Sequence, residues 1–168
     1  MGCRQSKGSE SCEAPLLKPG WGSAEQNAGY HILIVDDVEM ATELLLLILP
    51  NVCSQLGMAD AVLDKASSVD SADAKLEGIP PVHRVIVLLD QMMPEKNGDV
   101  LVRRWRSKPG MSQHICFISC TGNVSVEKID MFKEAMFDGI MHKPFYASQC
   151  RDVLKRFSAN PHCWWSTA

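Results

Sequence analysis

Five polar residues lie directly after short apolar runs, and their types could together handle a phosphoryl group. They are Asp36, Asp37, Asp90, Thr121 and Lys143. Carboxylates brought close together repel one another unless a cation joins them, and a hard divalent ion such as Mg²⁺ prefers oxygen ligands. A carboxylate beside such an ion and an ammonium group can attack phosphorus and form an aspartyl phosphate. A threonine hydroxyl can donate a hydrogen bond to a phosphoryl oxygen.

Each feature has an ordinary explanation when it is taken alone. An Asp after an apolar strand often caps a loop, and a Lys-Pro pair after a strand is common. The phosphoryl hypothesis depends on all of these residues occurring in order, each at the end of its own apolar run.

The elements that must position these residues follow from hydrophobic patterning. Continuous apolar runs are typical of central parallel strands, which are buried on both faces. Between the runs, apolar residues recur at helical spacing, as at Cys150, Val153, Leu154 and Phe157. The pattern predicts strands at 31–35, 61–63, 84–89, 115–119 and 139–142. It predicts helices at 38–49 (ended or kinked by Pro50), 68–77, 98–107, 124–137 (with Ile129, Phe132 and Met136 on one side) and 146–157.

Five strands alternating with five helices predict an α/β fold, in which a doubly wound parallel sheet is covered by helices on both faces. In such sheets ligands bind beyond the carboxyl ends of the strands. The five polar residues fall at those ends, so the pattern predicts one shared site.

Composition argues against several classes of function. The length of 168 residues suits one domain, and the net charge of −3 provides no broad basic field for nucleic acid. Seven cysteines without Cys-x-x-Cys spacing indicate reduced thiols of an intracellular protein, not a disulfide framework or a zinc site. The longest apolar run, Leu44 to Leu49, is far shorter than the roughly 20 residues that span a bilayer.

The sequence resembles response-regulator receiver domains over roughly residues 30 to 157. Ile32-Leu-Ile-Val-Asp-Asp37 is similar to their opening acidic pair, and Leu89-Asp-Gln-Met-Met-Pro-Glu-Lys-Asn-Gly98 to their phosphoacceptor segment. Thr121-Gly-Asn123 and His142-Lys-Pro144 resemble their threonine and lysine-proline segments. The resemblance implies a flavodoxin-like, five-stranded sheet in the order 2-1-3-4-5.

The resemblance also implies roles for the polar residues. Asp90 is the phosphoacceptor, Thr121 moves to the phosphoryl oxygen, and Lys143 is the ion-pair partner of the phosphoryl group, with a cis bond to Pro144. The implied Mg²⁺ ligands are Asp36, Asp37, Asp90 and the backbone carbonyl of Met92. One departure is Ile140, which stands where the family has an aromatic switch residue.

The implied function is that of a stand-alone relay in a two-component phosphorelay. The chain would accept a phosphoryl group from a histidine kinase or a histidine phosphotransfer protein and then change its affinity for a partner. It would not be an enzyme with an external substrate. Two alternatives are an unphosphorylated pseudo-receiver that acts as an interaction scaffold and the detached receiver of a hybrid histidine kinase.

The two ends differ in composition from the middle of the chain. Residues 1–29 have no periodicity and predict a disordered leader. Gly2 with Ser6 matches a myristoylation pattern, and Cys3 is placed for a palmitoyl chain, which together would anchor the protein at a membrane in a eukaryotic cell. The tail, residues 158–168, contains Trp164 and Trp165, for which we expect packing against the domain or a contact patch.

Overall fold

One parallel sheet organises the part of the chain that the computed structural model describes, residues 29–109, 114–122, 125–159 and 165–166. The strands are β1 (Tyr30–Val35), β2 (Val62–Ala66), β3 (Arg84–Asp90), β4 (Ile115–Thr121), β5 (Gly139–His142) and β6 (Trp165–Ser166). The helices are α1 (Glu39–Gln55), α2 (Val69–Gly78), α3 (Gly98–Arg106), α4 (Val126–Glu134) and α5 (Ala147–Ala159). The strand order is β2-β1-β3-β4-β5-β6, and every neighbouring pair is parallel.

The predicted α/β fold and the order of the first five strands are confirmed. The sheet also has a sixth strand that the prediction lacked, because the segment 158–168 was expected to be a tail. Instead α5 extends to Ala159, and Trp165–Ser166 adds to β5 in parallel. A strand of two residues is too short to show any periodicity in the sequence, so hydrophobic patterning could not reveal it.

The helices cover the two faces of the sheet with separate apolar cores. Successive strand residues point to opposite faces. Leu33 and Val87 therefore face α2, α3 and α4, whereas Ile34 and Leu88 face α1 and α5. Both cores reach the central strands, which explains why β1 and β3 are continuously apolar.

Helix α1 extends past Pro50, so the predicted end of this helix near Leu49 was wrong. The helix continues to Gln55 with Pro50 inside it. Leu49 and Val52, on either side of the proline, are both buried in the core beneath α1. Their burial holds the helix against the sheet and offsets the one backbone hydrogen bond that a proline removes.

Helix α4 is shorter than the predicted range of 124–137, and Met136 does not share the face of Ile129 and Phe132. Met136 lies after the helix with a φ of 64° and is about half exposed. The chain reverses there and brings Phe137 into the core, where its ring meets that of Phe132 edge-on with centroids 5.5 Å apart. Burial of Phe137 therefore decides where the helix ends.

Among the described helices, none has the length and apolar character that crossing a bilayer requires. Gly2 and Cys3, the predicted acylation positions, and Trp164 lie outside the described residues. The described cysteines, which are Cys53, Cys116, Cys120 and Cys150, are free and buried.

Candidate functional site

The first component of the site is the acidic pair after β1. Asp36 is buried, and its backbone N–H donates to the carbonyl of Ala66 at 3.1 Å, which ties the end of β1 to the end of β2. Its Oδ1 accepts from the backbone N–H of Val38 at 2.9 Å. These two bonds aim the remaining oxygen of Asp36 across the sheet edge, whereas the neighbouring Asp37 is exposed.

The second component is Asp90, the last residue of β3. Its Oδ2 accepts from the backbone N–H of Met92 at 3.0 Å, so the following loop folds back over the carboxylate. The start of α3 closes this loop at Gly98, whose N–H donates to the carbonyl of Gln91 at 3.1 Å. A Cβ on Gly98 would lie 2.5 Å from the backbone oxygen of Asp90. Glycine is therefore required at position 98 for the loop to approach Asp90 this closely.

The third component is Lys143, which joins the two carboxylates. Its Nζ lies 2.6 Å from Oδ2 of Asp36 and 2.8 Å from Oδ1 of Asp90. The backbone N–H of Lys143 donates to the carbonyl of Thr121 at 2.9 Å, which continues the pairing of β4 and β5 up to the site. The bond between Lys143 and Pro144 is cis, as predicted.

The three predicted aspartates do converge. One carboxylate oxygen from each of Asp36, Asp37 and Asp90 lies within 4.8 Å of the others. When all three are ionised, three negative charges face one ammonium, which leaves a net charge of −2. Carboxylate oxygens at this spacing are the donors that a hard divalent cation selects, so the residues fit Mg²⁺.

Burial and neighbouring charge shift the pKa values of the central pair. Burial raises the pKa of Asp90, and the nearby Asp36 carboxylate raises it further, against the opposing effect of Lys143. Burial by itself would lower the pKa of Lys143, but the hydrogen bonds to Asp36 and Asp90 outweigh it and raise that pKa. The ammonium of Lys143 is thus held charged, whereas burial still disfavours the ionised form of Asp90.

Thr121 ends β4 next to these groups. It is buried, pairs in register with His142, and lies one residue beyond the pair formed by Asp90 and Cys120. Ile140 is fully buried and pairs with Ser119. Thr121 is thus a buried polar residue at the end of β4, whereas Ile140 on β5 belongs to the apolar core.

Sequence reasoning missed the contacts that hold the loop after Asp90. Glu95 has a φ of 68°, in the left-handed region that non-glycine residues seldom adopt. The next residue, Lys96, binds the Asp70 carboxylate of α2 with its Nζ 2.6 Å from each oxygen. Gln91 is buried and donates to Oδ1 of Asp99 at 3.3 Å. No local signal identifies such contacts, because each joins residues that only the fold brings together.

No protein-family model matches the sequence, and no curated protein matches it. Solved structures do match. The signal receiver domain of a DNA-binding response regulator (merR) from Colwellia psychrerythraea 34H has a TM-score of 0.65 at 20% identity, covering 78% of this chain and 99% of that one. Chemotaxis protein CheY4 of Vibrio cholerae has a TM-score of 0.61 at 22% identity, and the match covers 77% of this chain and 98% of that one.

A third match is the DrrB receiver domain activated by BeF₃, with a TM-score of 0.58 at 21% identity, covering 79% of this chain and 99% of that one. At these identities the likeness establishes the fold, which is that of response-regulator receiver domains.

Proposed function

We propose that this chain is a phosphoacceptor receiver of a two-component phosphorelay, with Asp90 as the residue that is phosphorylated. The observation that carries the proposal is the position of Lys143 Nζ, within 2.8 Å of carboxylate oxygens of both Asp36 and Asp90. A structural ion pair needs one carboxylate. Two buried carboxylates on one ammonium, with a third close by, suit a site that receives further charged groups.

In this proposal the aspartates and the Met92 carbonyl hold Mg²⁺, which when bound neutralises charge on the carboxylates and on the incoming phosphoryl oxygens. An oxygen of Asp90 attacks phosphorus, the new O–P bond forms as the N–P bond of a phosphohistidine breaks, and the imidazole leaves. Lys143 then pairs with the phosphoryl group, and the Thr121 hydroxyl donates to one of its oxygens. The protein contributes position and charge, which is the main requirement of phosphoryl transfer.

The proposed phosphodonor is a histidine kinase or a histidine phosphotransfer protein, and the surface of α1 suits such a partner. Met40, Leu44 and Leu47 lie at i, i+4 and i+7 and are 81%, 40% and 78% exposed. An exposed apolar stripe on a helix is typical of an interaction surface, and the apolar face of a partner helix would cover it. Because α1 begins just after Asp37, a partner bound there would have its histidine close to Asp90.

An unphosphorylated pseudo-receiver that acts only as a scaffold would not require a lysine between the two carboxylates. Asp36, Asp37, Asp90, Thr121 and Lys143 are all retained, and this favours a phosphorylated receiver over a pseudo-receiver. In neither case does the chain turn over an external substrate. Its site would catalyse only its own phosphorylation and dephosphorylation.

The test is incubation of the full chain with acetyl phosphate or phosphoramidate and Mg²⁺, followed by intact mass and mapping of the modified residue. One phosphoryl group should be added, at Asp90. Asp90→Asn should abolish labelling, whereas the matched control Asp152→Asn, at an exposed position of α5, should label as wild type does. Undiminished labelling of Asp90→Asn would refute the assignment.

A second measurement separates phosphorylation from its readout. Lys143→Ala and Thr121→Ala should each weaken the effect of phosphorylation on partner binding. The first removes the ion-pair partner of the phosphoryl group, and the second removes the hydroxyl that contacts it. If partner binding in both variants still responds as in wild type, the switch lies elsewhere in the protein.

We further propose that the chain carries an acyl anchor at Gly2 and Cys3. Two acyl chains give stable membrane attachment, whereas one gives only marginal binding. In a eukaryotic cell Gly2→Ala should therefore release the protein from membranes, and Cys3→Ser should leave weak, reversible attachment. Fractionation that finds the wild-type chain wholly in the cytosol would refute the anchor without affecting the receiver proposal.

A further inference from the structure

The two edges of the sheet are protected in different ways. A bare strand edge presents unpaired N–H and C=O groups to which another strand can add, and charged residues on the edge discourage this. At one edge, β2 carries Asp64 and Lys65, and both are engaged in ion pairs, with Lys75 at 2.7 Å and Glu43 at 2.5 Å. This edge is protected by charge.

Strand β5, toward the other side, contains no Asp, Glu, Lys or Arg. Its four residues are Gly139, Ile140, Met141 and His142, and the first three are buried. What protects β5 is β6, which pairs Trp165 with Gly139 and Ser166 with Ile140. One edge thus relies on its own charges, whereas β5 relies on a separate segment of the chain.

The cover that β6 provides is slight. It makes two residue pairs, and a typical strand has about five or six residues. By contrast, β5 is held to β4 by four residue pairs, so its place in the sheet does not depend on β6. Loss of β6 would leave β5 in place as an uncharged edge that ends directly before Lys143.

We propose that the β5 edge is a docking site for an extended segment of a partner protein, and that β6 covers this site in cis. The partner segment would add as a parallel strand, with its main chain bound to β5. Its chemistry is that of the segment already seated there, an uncharged stretch with an aromatic residue followed by a small polar one. This inference concerns a surface other than the acidic site and does not depend on phosphorylation.

The short connection makes β6 an effective competitor. Only five residues separate the end of α5 from the start of β6, so β6 competes with a trans segment for the edge as part of the same chain. If β6 occupies the edge about nine-tenths of the time, the apparent dissociation constant of a trans segment is raised about tenfold. Removal of β6 from the edge should therefore lower the apparent dissociation constant of the trans segment about tenfold.

The test uses the full chain and a fluorescent peptide with the sequence of residues 160–168, followed by anisotropy. In one variant, Trp165→Pro with Ser166→Pro, the strand has no N–H donors and cannot pair. In the matched control, Trp165→Val with Ser166→Val, both N–H groups and a high strand propensity are kept. The proline variant should bind the peptide about tenfold more tightly than wild type, and the valine control within twofold of it.

Hydrogen exchange provides the second readout. Amides of residues 139–142 should exchange faster in the proline variant than in the valine control, and peptide should restore their protection. Amides of β4 should be unchanged, which excludes global unfolding. Equal peptide binding by both variants, or unchanged exchange in β5, would overturn the proposal. Concentration-dependent dimerisation of the proline variant without peptide binding would also overturn it, because the occupant would then be a second copy of this chain.

Discussion

Two buried carboxylate sites in this protein differ in how completely their charge is neutralised. At the first, Asp138 binds the guanidinium of Arg106, and its Oδ2 also accepts from the backbone N–H of Phe117 at 2.7 Å. Arg106 gives further hydrogen bonds to the carbonyls of Ile115 and Met136, each at 3.1 Å. One carboxylate and one guanidinium thus neutralise each other, and both side chains are only 9% exposed.

At the acidic pocket, two buried carboxylates share a single ammonium. Lys143 reaches both Asp36 and Asp90, and the exposed Asp37 adds a third carboxylate nearby. The Lys143 side chain is 26% exposed, so this site is open to solvent where the other is closed. The comparison shows how similar residue types serve two purposes. A closed, neutral pair holds β4 and β5 to the end of α3, and an open pocket with excess negative charge attracts a cation.

The largest effect should come from breaking the closed pair. Arg106→Ala leaves Asp138 buried without its counter-ion and should lower the free energy of unfolding by about 3–5 kcal/mol. The control is Arg103→Ala, because Arg103 forms an exposed pair with Asp99 at 3.4 Å. That change should cost less than about 1 kcal/mol. Urea unfolding of both variants is the measurement, and similar small losses in the two would contradict the comparison.

The next largest effect should come from Mg²⁺, which tests whether the excess negative charge of the acidic pocket binds a cation. Mg²⁺ that binds only the folded state should raise the free energy of unfolding by about 2.7 kcal/mol at a hundredfold excess over its dissociation constant. Ca²⁺ should do so less reliably, because it favours larger and more flexible cages. In thermal melts, Arg103→Ala should respond to Mg²⁺ as wild type does. A melting temperature that Mg²⁺ does not move would argue against a cation site.

Asp90→Asn should give a smaller effect of the opposite sign to Arg106→Ala. Burial raises the pKa of Asp90, so at neutral pH the ionised carboxylate weakens the folded state. The amide nearly keeps its shape and should stabilise the metal-free protein by roughly 1 kcal/mol, the scale of a one-unit pKa shift. It should also reduce the gain from Mg²⁺. A metal-free Asp90→Asn protein that melts below wild type, with no metal effect on either, would favour the scaffold alternative.

The smallest effect concerns His31, a buried ionisable group whose Nε2 has no hydrogen-bond partner among the described residues. Burial lowers its pKa, and His83 and Lys75 lower it further, against the opposing effect of Asp64. A lowered pKa means that the stability contributed by neutral His31 is present above the unfolded pKa of about 6.5 and is lost as the pH falls below it. His31→Gln should therefore reduce the loss of stability between pH 7 and pH 5, by less than about 1 kcal/mol. Urea midpoints across this range measure it, and identical pH profiles would contradict the prediction.

The sequence by itself determined the strands that carry the site. The apolar runs of β1, β3 and β4 are buried on both faces, so patterning identified them without reference to the rest of the chain. Because parallel strands bring their carboxyl ends to one edge, the same patterning placed Asp36, Asp37 and Asp90 together. These inferences needed only local periodicity and the direction of the strands.

Only the tertiary structure decided which charges meet. Lys143 lies 107 residues from Asp36 and 53 from Asp90 in sequence, and its contact with both depends on the packing of β5 beside β4. The pairing of Arg106 with Asp138 depends in the same way on how α3 packs. The path of α1 through Pro50 and the addition of β6 were also decided by burial and by the edge of β5. Periodicity is a property of neighbouring residues, whereas ion pairs and strand addition depend on distances across the fold.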